Sequence, residues 1–147
     1  MNYRHAFHAG NFADVFKHIV LVALLKALAK KDAPFCYLDT HAGIGRYDLA
    51  SEAARKTGEF EHGIGRVWRV PDGPALVGEY LAAVRAVNRA PDLRFYPGSP
   101  RLARFFLRPQ DRAVLLEKHP EEAARLQQEF TGDRQVLVRE HDGYAGL

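Results

Sequence analysis

The amino-acid sequence predicts an α/β fold with a mainly parallel sheet. Its early part reads as a helix, a short apolar run and a glycine-rich loop, and its late part as an apolar run, a helix and another apolar run. Because helices that alternate with short apolar strands are typical of crossover connections, both patterns favour the same fold class. A length of 147 residues is consistent with one domain.

The composition is that of a folded, mildly basic protein. Hydrophobic residues make up 47% of the chain and charged residues 27%, which favours a packed core over long disorder. The net charge of +3 permits a polyanionic partner without requiring one. The single cysteine excludes an internal disulfide, and the apolar run 19–25 is too short to span a membrane. We therefore expect a cytoplasmic protein without membrane association.

The local signals for the first helix and strand are clear. A helix is predicted over 12–31, with Asn11 as its N-cap, Asp14 in its first turn and Pro34 after its end. The run 35–38 predicts a buried strand, in which Cys36 is expected to be a small core residue. The remaining pattern predicts helices over 51–56, 75–88, 101–107 and 120–130, strands over 112–116 and 135–138, and a turn at 96–100.

The loop 39–45 after the first strand is the main candidate for a ligand site. In open α/β sheets, ligands bind beyond the carboxyl ends of the strands, where glycines let the backbone approach them closely. The dinucleotide-binding pattern needs a third glycine where this sequence has Asp48. An acidic residue at the strand end followed by Gly-x-Gly is instead the form of this loop in methyltransferases. A plain tight turn between strand and helix is the alternative.

Acidic residues also follow the two later strands. Glu117 could accept hydrogen bonds from ribose hydroxyls, and Asp142 could accept one from an adenine amine while Gly143 leaves room for the ring. Glu117 lies much further from the glycine loop than the usual spacing of about 20 residues, so a segment at about 46–110 must be inserted. The alternatives are an exposed surface glutamate and an ordinary Asp-Gly turn.

Four further side chains are candidates for binding an anionic group. Ser99 precedes a proline and a predicted helix, so it is expected to be an N-cap at an anion-binding helix start. His18 could meet a carboxylate from the first helix, as could Lys17, although their spacing alone favours a solvated face. His41 has a stronger claim because it lies inside the glycine loop.

Aromatic and basic side chains could contact nucleic acid. The N-terminal runs Tyr3-Arg4-His5 and Phe7-His8 combine groups that stack on bases and meet phosphates. Three arginines, at positions 101, 104 and 108, fall roughly on one helix face, and a solvated face is the alternative interpretation there.

Several of these segments together resemble the ribosomal RNA large subunit methyltransferase J family, along the whole chain. The segments that carry the resemblance are Tyr3-Arg4-His5, Phe7-His8-Ala9-Gly10-Asn11, Ala13-Asp14-Val15, Lys17-His18, Tyr37-Leu38-Asp39-Thr40-His41-Ala42-Gly43, Gly45-Arg46-Tyr47, Tyr96-Pro97-Gly98-Ser99-Pro100, Glu117-x-His119-Pro120 and Asp142-Gly143.

The resemblance implies an S-adenosyl-L-methionine-dependent enzyme that methylates N6 of an adenine in 23S rRNA. It implies a Rossmann-like class I methyltransferase fold with a helical insertion, no obligate protein partner, and Tyr3 near the RNA. The cofactor-binding residues that it implies are His18, His41, Ser99, Glu117, Asp142 and Gly143.

The sequence departs from the family at one important motif. The resemblance implies an Asp-Pro-Pro-Tyr motif on a fourth strand, and these 147 residues do not contain it. We therefore expect residues 1–147 to be the cofactor-binding part of a longer protein, with an incomplete sheet and with the catalytic residues downstream of Leu147. By itself this part is expected to be inactive, because it holds no catalytic residues of its own.

Two other functions stay open at this point. A hydrolase could take metal ligands from His5-x-x-His8, from Asp14 with His18, or from Asp39-x-His41, although no spacing among them is diagnostic. A non-catalytic nucleic-acid-binding module would also fit the basic charge and the N-terminal run.

Overall fold

The computed structural model describes residues 4–145, which form six α-helices and five strands within that range. In chain order the elements are α1 (Phe12–Ala29), β1 (Cys36–Asp39), β2 (Arg46–Asp48), α2 (Glu52–Thr57), α3 (Ile64–Val67), α4 (Ala75–Ala86), β3 (Phe95–Pro97), α5 (Ser99–Phe106), β4 (Arg112–Glu117), α6 (Pro120–Glu129) and β5 (Val136–Glu140). Short 3₁₀ helices occur at His5–Phe7 and Glu59–His62.

The main sheet is parallel, as the sequence predicted. Its strand order is β1-β4-β5, so β4 is central and β1 pairs only with β4 in the described part of the chain. Leu38 of β1 lies beside Val114 of β4, which lies beside Leu137 of β5. The carboxyl ends of all three strands therefore meet at one edge of the sheet.

A second, two-stranded sheet was not predicted from the sequence. β2 and β3 pair antiparallel, with Arg46 opposite Pro97 and Asp48 opposite Phe95. The prediction of a turn over 96–100 is therefore wrong at its start, because Tyr96 and Pro97 belong to a strand. The segment 46–110 holds this two-stranded sheet as well as helices, and the N–H of Gly98 donates to the carbonyl of Gly45 beside it.

Helix α1 begins where the sequence predicted. The Asn11 side chain accepts a hydrogen bond from the Asp14 N–H at 2.9 Å, which caps the helix. The helix ends at Ala29, two residues before the predicted end. None of the helices in the described range is long and apolar enough to cross a membrane.

Two hydrophobic clusters stabilise the fold. The helical cluster joins α1 to the inserted segment, and its buried members are Ala9, Val15, Val22, Tyr47, Leu49, Ile64, Tyr80, Leu81, Ala83, Val84, Tyr96 and Leu102. The sheet cluster lies between β4, its neighbouring strands and α6, and its buried members are Ala42, Leu107, Ala113, Leu115, Leu126 and Phe130.

Within the described residues, one face of the main sheet is well covered, whereas the opposite face is buried at Leu116 and open at its neighbouring strands. Leu115 points to the covered face and is fully buried, whereas Leu38 and Leu137 on the other face are 45% and 47% exposed. Cys36 lies on the same face as Leu38 and is also exposed. The prediction that Cys36 is a core residue is therefore wrong, because no described element packs over its side of the strand.

The three arginines of the predicted solvated face pair with carboxylates instead. Arg101 contacts Glu129 at 2.6 Å, and Arg104 contacts Asp133 at 2.5 Å. Arg108 lies beyond the end of α5, where it pairs with the fully buried Asp111 at 2.8 Å. These arginines therefore hold α5 against the end of α6 and the start of β4.

Candidate functional site

The glycine loop after β1 is tied directly to the end of β4. The N–H of Gly43 donates to Glu117 Oε2 at 2.8 Å, and the N–H of His119 donates to Glu117 Oε1 at 2.8 Å. The Ala42 N–H also donates to the carbonyl of Leu116. Glu117 is partly buried and fixed at both oxygens, so the alternative of an exposed surface glutamate is wrong.

Asp39, the last residue of β1, is a hydrogen-bonding centre. Its Oδ2 accepts from the Tyr37 hydroxyl at 2.8 Å and from Ser99 Oγ at 2.6 Å. Its Oδ1 accepts from the His41 N–H at 3.2 Å. Burial, followed by the charge of Asp39, raises the pKa of Tyr37 well above its usual range, so Tyr37 stays a donor.

Ser99 therefore does not cap α5 as the sequence predicted. The helix starts at Ser99 after Gly98 and has no side-chain cap, because the Ser99 hydroxyl donates to Asp39 instead. The start of α5 is nevertheless held at the end of β1, which brings Ser99 to the same edge of the sheet as Glu117.

Gly43 gives the loop a close approach that no side chain would permit. Its φ of +64° lies in the left-handed region, and a Cβ at this position would overlap the Tyr47 hydroxyl. Burial raises the pKa of Tyr47 above its usual range, so it remains a neutral phenol beneath the loop.

His18 is buried, contrary to the solvated face that its spacing suggested. Only 3% of the residue is exposed, and its Nδ1 lies 2.8 Å from the Tyr96 hydroxyl. Burial lowers the pKa of His18 to about 4, although the charge of nearby Asp14 opposes the shift. The imidazole is therefore neutral at physiological pH.

Asp14 pairs with two basic side chains of the N-terminal part of the chain. It contacts His5 Nε2 at 2.8 Å and Lys17 Nζ at 2.6 Å, and it accepts from the Gly10 N–H at 2.9 Å. Burial alone would raise the pKa of Asp14, but the hydrogen bond and charge of His5, with the hydrogen bond of Lys17, hold it well below its usual range. This buried carboxylate orients two basic side chains toward the glycine loop.

These elements enclose a cleft of about 360 Å³ at the carboxyl edge of the sheet. Its lining includes His5, Lys17, His18, His41, Gly43, Tyr47, Ser99, Glu117 and Glu122. Larger depressions of about 630 and 950 Å³ lie elsewhere on the surface, and Glu117 lines none of them, although Ile44 of the glycine loop lines one of about 630 Å³. The cleft is therefore the site that the topology of the sheet predicts.

Residues 32–147 match the protein family described as ribosomal RNA large subunit methyltransferase D, RlmJ. The chain belongs to this family. It is 49% identical over 147 residues to ribosomal RNA large subunit methyltransferase J of Escherichia coli (strain K12), and 46% identical over 145 residues to the protein of that name from Haemophilus influenzae. The resemblance found in the sequence is thus confirmed.

The chain spans about half the length of these relatives, 52% in each case. A Legionella pneumophila protein of known crystal structure superposes with a TM-score of 0.86 at 42% identity. That comparison covers 94% of this chain and 51% of the Legionella chain.

Within this family member, the structure brings together four of the six residues expected to bind cofactor. His18, His41, Ser99 and Glu117 all line the cleft. The remaining two expected residues, Asp142 and Gly143, lie just past β5 and outside the lining.

Two expectations fall on residues that the structure does not describe. Tyr3, expected near the RNA, lies before the described range 4–145, and Leu147, beyond which the catalytic residues are expected, lies after it. The role of Tyr3 and the position of the catalytic residues downstream of Leu147 therefore stay predictions.

The residues after β5 pack against the glycine loop. Asp142 Oδ2 accepts from Lys118 Nζ at 2.7 Å, and its Oδ1 accepts from the Tyr144 N–H at 3.0 Å. A Cβ on Gly143 would overlap the carbonyl oxygen of Thr40, so a glycine is required there by packing alone. The alternative of an ordinary Asp-Gly turn is consistent with these contacts.

Asp39, Lys17 and His5 join the site without having been among the expected cofactor-binding residues. Asp39 had a signal in the sequence, since an acidic residue at the end of a strand beside a glycine loop is a recognised pattern. His5 and Asp14, which were considered as metal ligands, instead pair with each other. Residues 4–145 contain no group of three or more His, Cys, Asp or Glu side chains arranged for a metal ion.

Proposed function

We propose that this chain is the S-adenosyl-L-methionine-binding part of a methyltransferase that acts on N6 of an adenine in 23S rRNA. The observation that carries the proposal is the convergence of the glycine loop, Glu117, Ser99, His18 and His41 on one cleft, in a chain of this family. We further propose that the fold is a Rossmann-like class I methyltransferase fold in which 46–110 is an insertion. The parallel order β1-β4-β5 supports this.

The size and chemistry of the cleft fit a nucleoside cofactor. Its volume of about 360 Å³ is within the range of small-molecule sites. It offers an ammonium group on Lys17, an imidazole on His18 and a carboxylate on Glu117. A zwitterionic methionine moiety needs donors for its carboxylate, and a ribose needs an acceptor for its hydroxyls.

We assign the ribose to Glu117. Each of its oxygens already accepts one backbone N–H, at Gly43 and at His119. A carboxylate has about four acceptor positions, so each oxygen retains capacity for a hydroxyl donor while the backbone holds its orientation. The two hydrogen bonds from the backbone thus orient the Glu117 carboxylate and leave acceptor positions for the ribose hydroxyls.

We assign the methionine end of the cofactor to His18 and Ser99, and the adenine end to Asp142 and Gly143. His41 lies between them: its ring meets Tyr144 edge-on with centroids 5.0 Å apart. In this arrangement Asp142 must exchange its contact with Lys118 for the adenine amine. That exchange involves an exposed lysine, so it costs little.

The bound cofactor would supply a sulfonium methyl group. Adenine N6 is a poor nucleophile because its lone pair is delocalised into the ring, so much of the catalysis is orientation. The side chains described here hold the donor in place and leave the acceptor base to be held by residues outside these 147. We propose that the N-terminal segment with Tyr3 contributes to contacts with the RNA.

Calorimetric titration with S-adenosylhomocysteine tests this proposal. We expect micromolar binding by the protein and a loss of about 1–3 kcal/mol in binding free energy in Glu117→Gln, the usual cost of losing charge-assisted hydrogen bonds. Glu121→Gln is the matched control, since Glu121 is an exposed carboxylate at the start of α6. Thermal denaturation of each variant shows whether the fold is retained.

Two outcomes would contradict the assignment. Equal affinities for a folded Glu117→Gln variant and the wild type would remove Glu117 from the site. Salt-sensitive RNA binding without any binding of S-adenosylhomocysteine would favour a nucleic-acid-binding module instead.

A further inference from the structure

The two ring nitrogens of His18 face different surroundings. Nδ1 lies 2.8 Å from the Tyr96 hydroxyl inside the helical cluster. Nε2 makes no hydrogen bond to any residue in the range 4–145. Every fully buried side-chain nitrogen or oxygen in that range has a hydrogen-bond partner, so Nε2 is not fully buried. Nε2 must therefore reach the surface of the cleft that His18 lines.

Behind His18, two buried tyrosines continue the line of hydrogen bonds. The Tyr96 hydroxyl lies 2.9 Å from the Tyr80 hydroxyl, and both side chains are fully buried. We call Tyr80, Tyr96 and His18 the tyrosine relay. Tyr80 comes from α4 and Tyr96 from β3, so two of its members belong to the inserted segment.

The direction of the hydrogen bonds follows from the end of the relay. Within the described residues, the Tyr80 hydroxyl has no hydrogen-bond partner other than Tyr96. If Tyr80 accepted from Tyr96, its own buried hydrogen would have no acceptor, at a cost of about 1–3 kcal/mol. Tyr80 therefore donates to Tyr96, and Tyr96 donates to His18 Nδ1.

This direction fixes the state of His18. An Nδ1 that accepts a hydrogen bond carries no proton, so the proton of the neutral ring sits on Nε2. A doubly protonated ring would reverse the relay and leave the Tyr80 hydrogen unpaired. The lowered pKa of His18, caused first by its burial, is consistent with this conclusion.

We propose that Tyr96, oriented by Tyr80, is a positioning residue that holds His18 as a neutral imidazole whose Nε2–H donates to the carboxylate of the bound cofactor. This inference rests on the proposed function for the identity of the ligand. A neutral donor suits the cleft, because Lys17 already supplies positive charge there and the cofactor itself carries a sulfonium. The inserted segment is thereby part of the cofactor site.

The experiment combines nuclear magnetic resonance with calorimetry on the protein and two tyrosine variants. Long-range ¹H–¹⁵N spectra of histidine-labelled protein report which ring nitrogen is protonated, and His18→Gln identifies the His18 signals. We expect Nε2 protonated and Nδ1 unprotonated in the wild type. Tyr96→Phe should give mixed tautomers and about tenfold weaker binding of S-adenosylhomocysteine, equivalent to about one hydrogen bond.

Tyr80→Phe is the matched control. It removes one hydroxyl from the same buried cluster, but Tyr96 still has only His18 as an acceptor. We expect it to keep the wild-type tautomer and to weaken binding by less than about threefold. If Tyr96→Phe does not fold, the wild-type and Tyr80→Phe spectra still decide the tautomer.

A protonated Nδ1 in the wild type, or the same tautomer and affinity in both variants, would overturn the proposal. The spectra do not require a ligand, which separates this inference from the proposed function. A wild type with the expected tautomer but without affinity for S-adenosylhomocysteine would overturn the ligand assignment and leave the relay intact.

Discussion

The helical cluster and the sheet cluster differ in how completely they are enclosed. In the helical cluster, Tyr80, Tyr96 and Leu102 are fully buried. In the sheet cluster, one face of the strands is packed against α6, whereas Leu38 and Leu137 on the opposite face are about half exposed. The inserted segment is therefore better packed than the sheet from which it emerges.

This difference places the candidate site at the boundary of two unequal regions. Glu117 and the glycine loop come from the sheet, whereas Ser99 and the tyrosines behind His18 come from the segment packed on α1. The more completely buried side of the cleft is thus the side of His18. The side formed by Glu117 depends on a sheet with one partly exposed face, so its order should respond more strongly to whatever covers that face.

Truncating a leucine in each region gives the largest expected contrast. Leu102→Ala should lower the free energy of unfolding by about 3 kcal/mol, because a fully buried leucine leaves a cavity. Leu137→Ala on the exposed face should cost about 1 kcal/mol or less. Urea denaturation measures both. Equal losses would mean that Leu137 is covered in solution, by another copy or by further polypeptide.

Breaking the Asp111–Arg108 ion pair, which links the helical cluster to the sheet, should lower the free energy of unfolding by an intermediate amount. Asp111 accepts from the Arg108 guanidinium and from the Phe35 N–H, and Arg108 also binds the carbonyls of Lys31 and Ala33. Asp111→Asn should cost about 2 kcal/mol, since it leaves a partly buried guanidinium uncompensated. Glu79→Gln, in the exposed pair with Lys26, is the control and should change stability by less than about 0.5 kcal/mol.

The ion pair of Asp111 with Arg108 also predicts how the stability of the fold depends on pH. The hydrogen bond from Arg108 lowers the pKa of Asp111 to about 2. The stabilisation of the fold by ionised Asp111 is therefore complete above the ordinary aspartate range near 4, and it is lost as the pH falls toward 2. Stability measured across that window should therefore decline less in Asp111→Asn than in the wild type. Parallel curves would show that Asp111 does not anchor the two regions.

Two glycines of the inserted segment should give the smallest effects, with opposite signs. A Cβ on Gly78 meets open space in α4, so Gly78→Ala should stabilise by about 0.5–1 kcal/mol through helix propensity. Gly58 also has open space, but its φ of +63° disfavours any side chain, so Gly58→Ala should destabilise by about 1 kcal/mol. Melting temperatures compare the two directly, and shifts of the same sign would contradict this account.

Local signals in the sequence predicted the features that depend on neighbouring residues. The start of α1 followed from Asn11 and Asp14, whose capping bond spans three residues. The parallel sheet and the meeting of its strand ends followed from the order of the elements. Glu117 was found for the same reason, since topology brings the end of β4 to the glycine loop.

The features that sequence reasoning missed depend on distant partners. The end of α1 is shaped by Arg108, which binds the Lys31 carbonyl from 77 residues away. The Ser99 hydroxyl donates to Asp39, which lies 60 residues earlier in the chain, and does not cap its own helix. The burial of His18 depends on Tyr96, 78 residues further on. The exposure of Cys36 was missed because strand periodicity does not reveal which face is covered.

The pairing of β1 with β4 also constrains the order in which the protein can form. Phe35 and Asp111, which meet where these strands begin, are separated by 76 residues. Closing so long a flexible loop is entropically costly, and non-local pairings form slowly. The antiparallel pairing of β2 with β3 brings the ends of the intervening segment together, which shortens the span that remains to be closed. We therefore expect the cleft to be among the last features to form on the ribosome, after the inserted segment has folded and β4 has emerged.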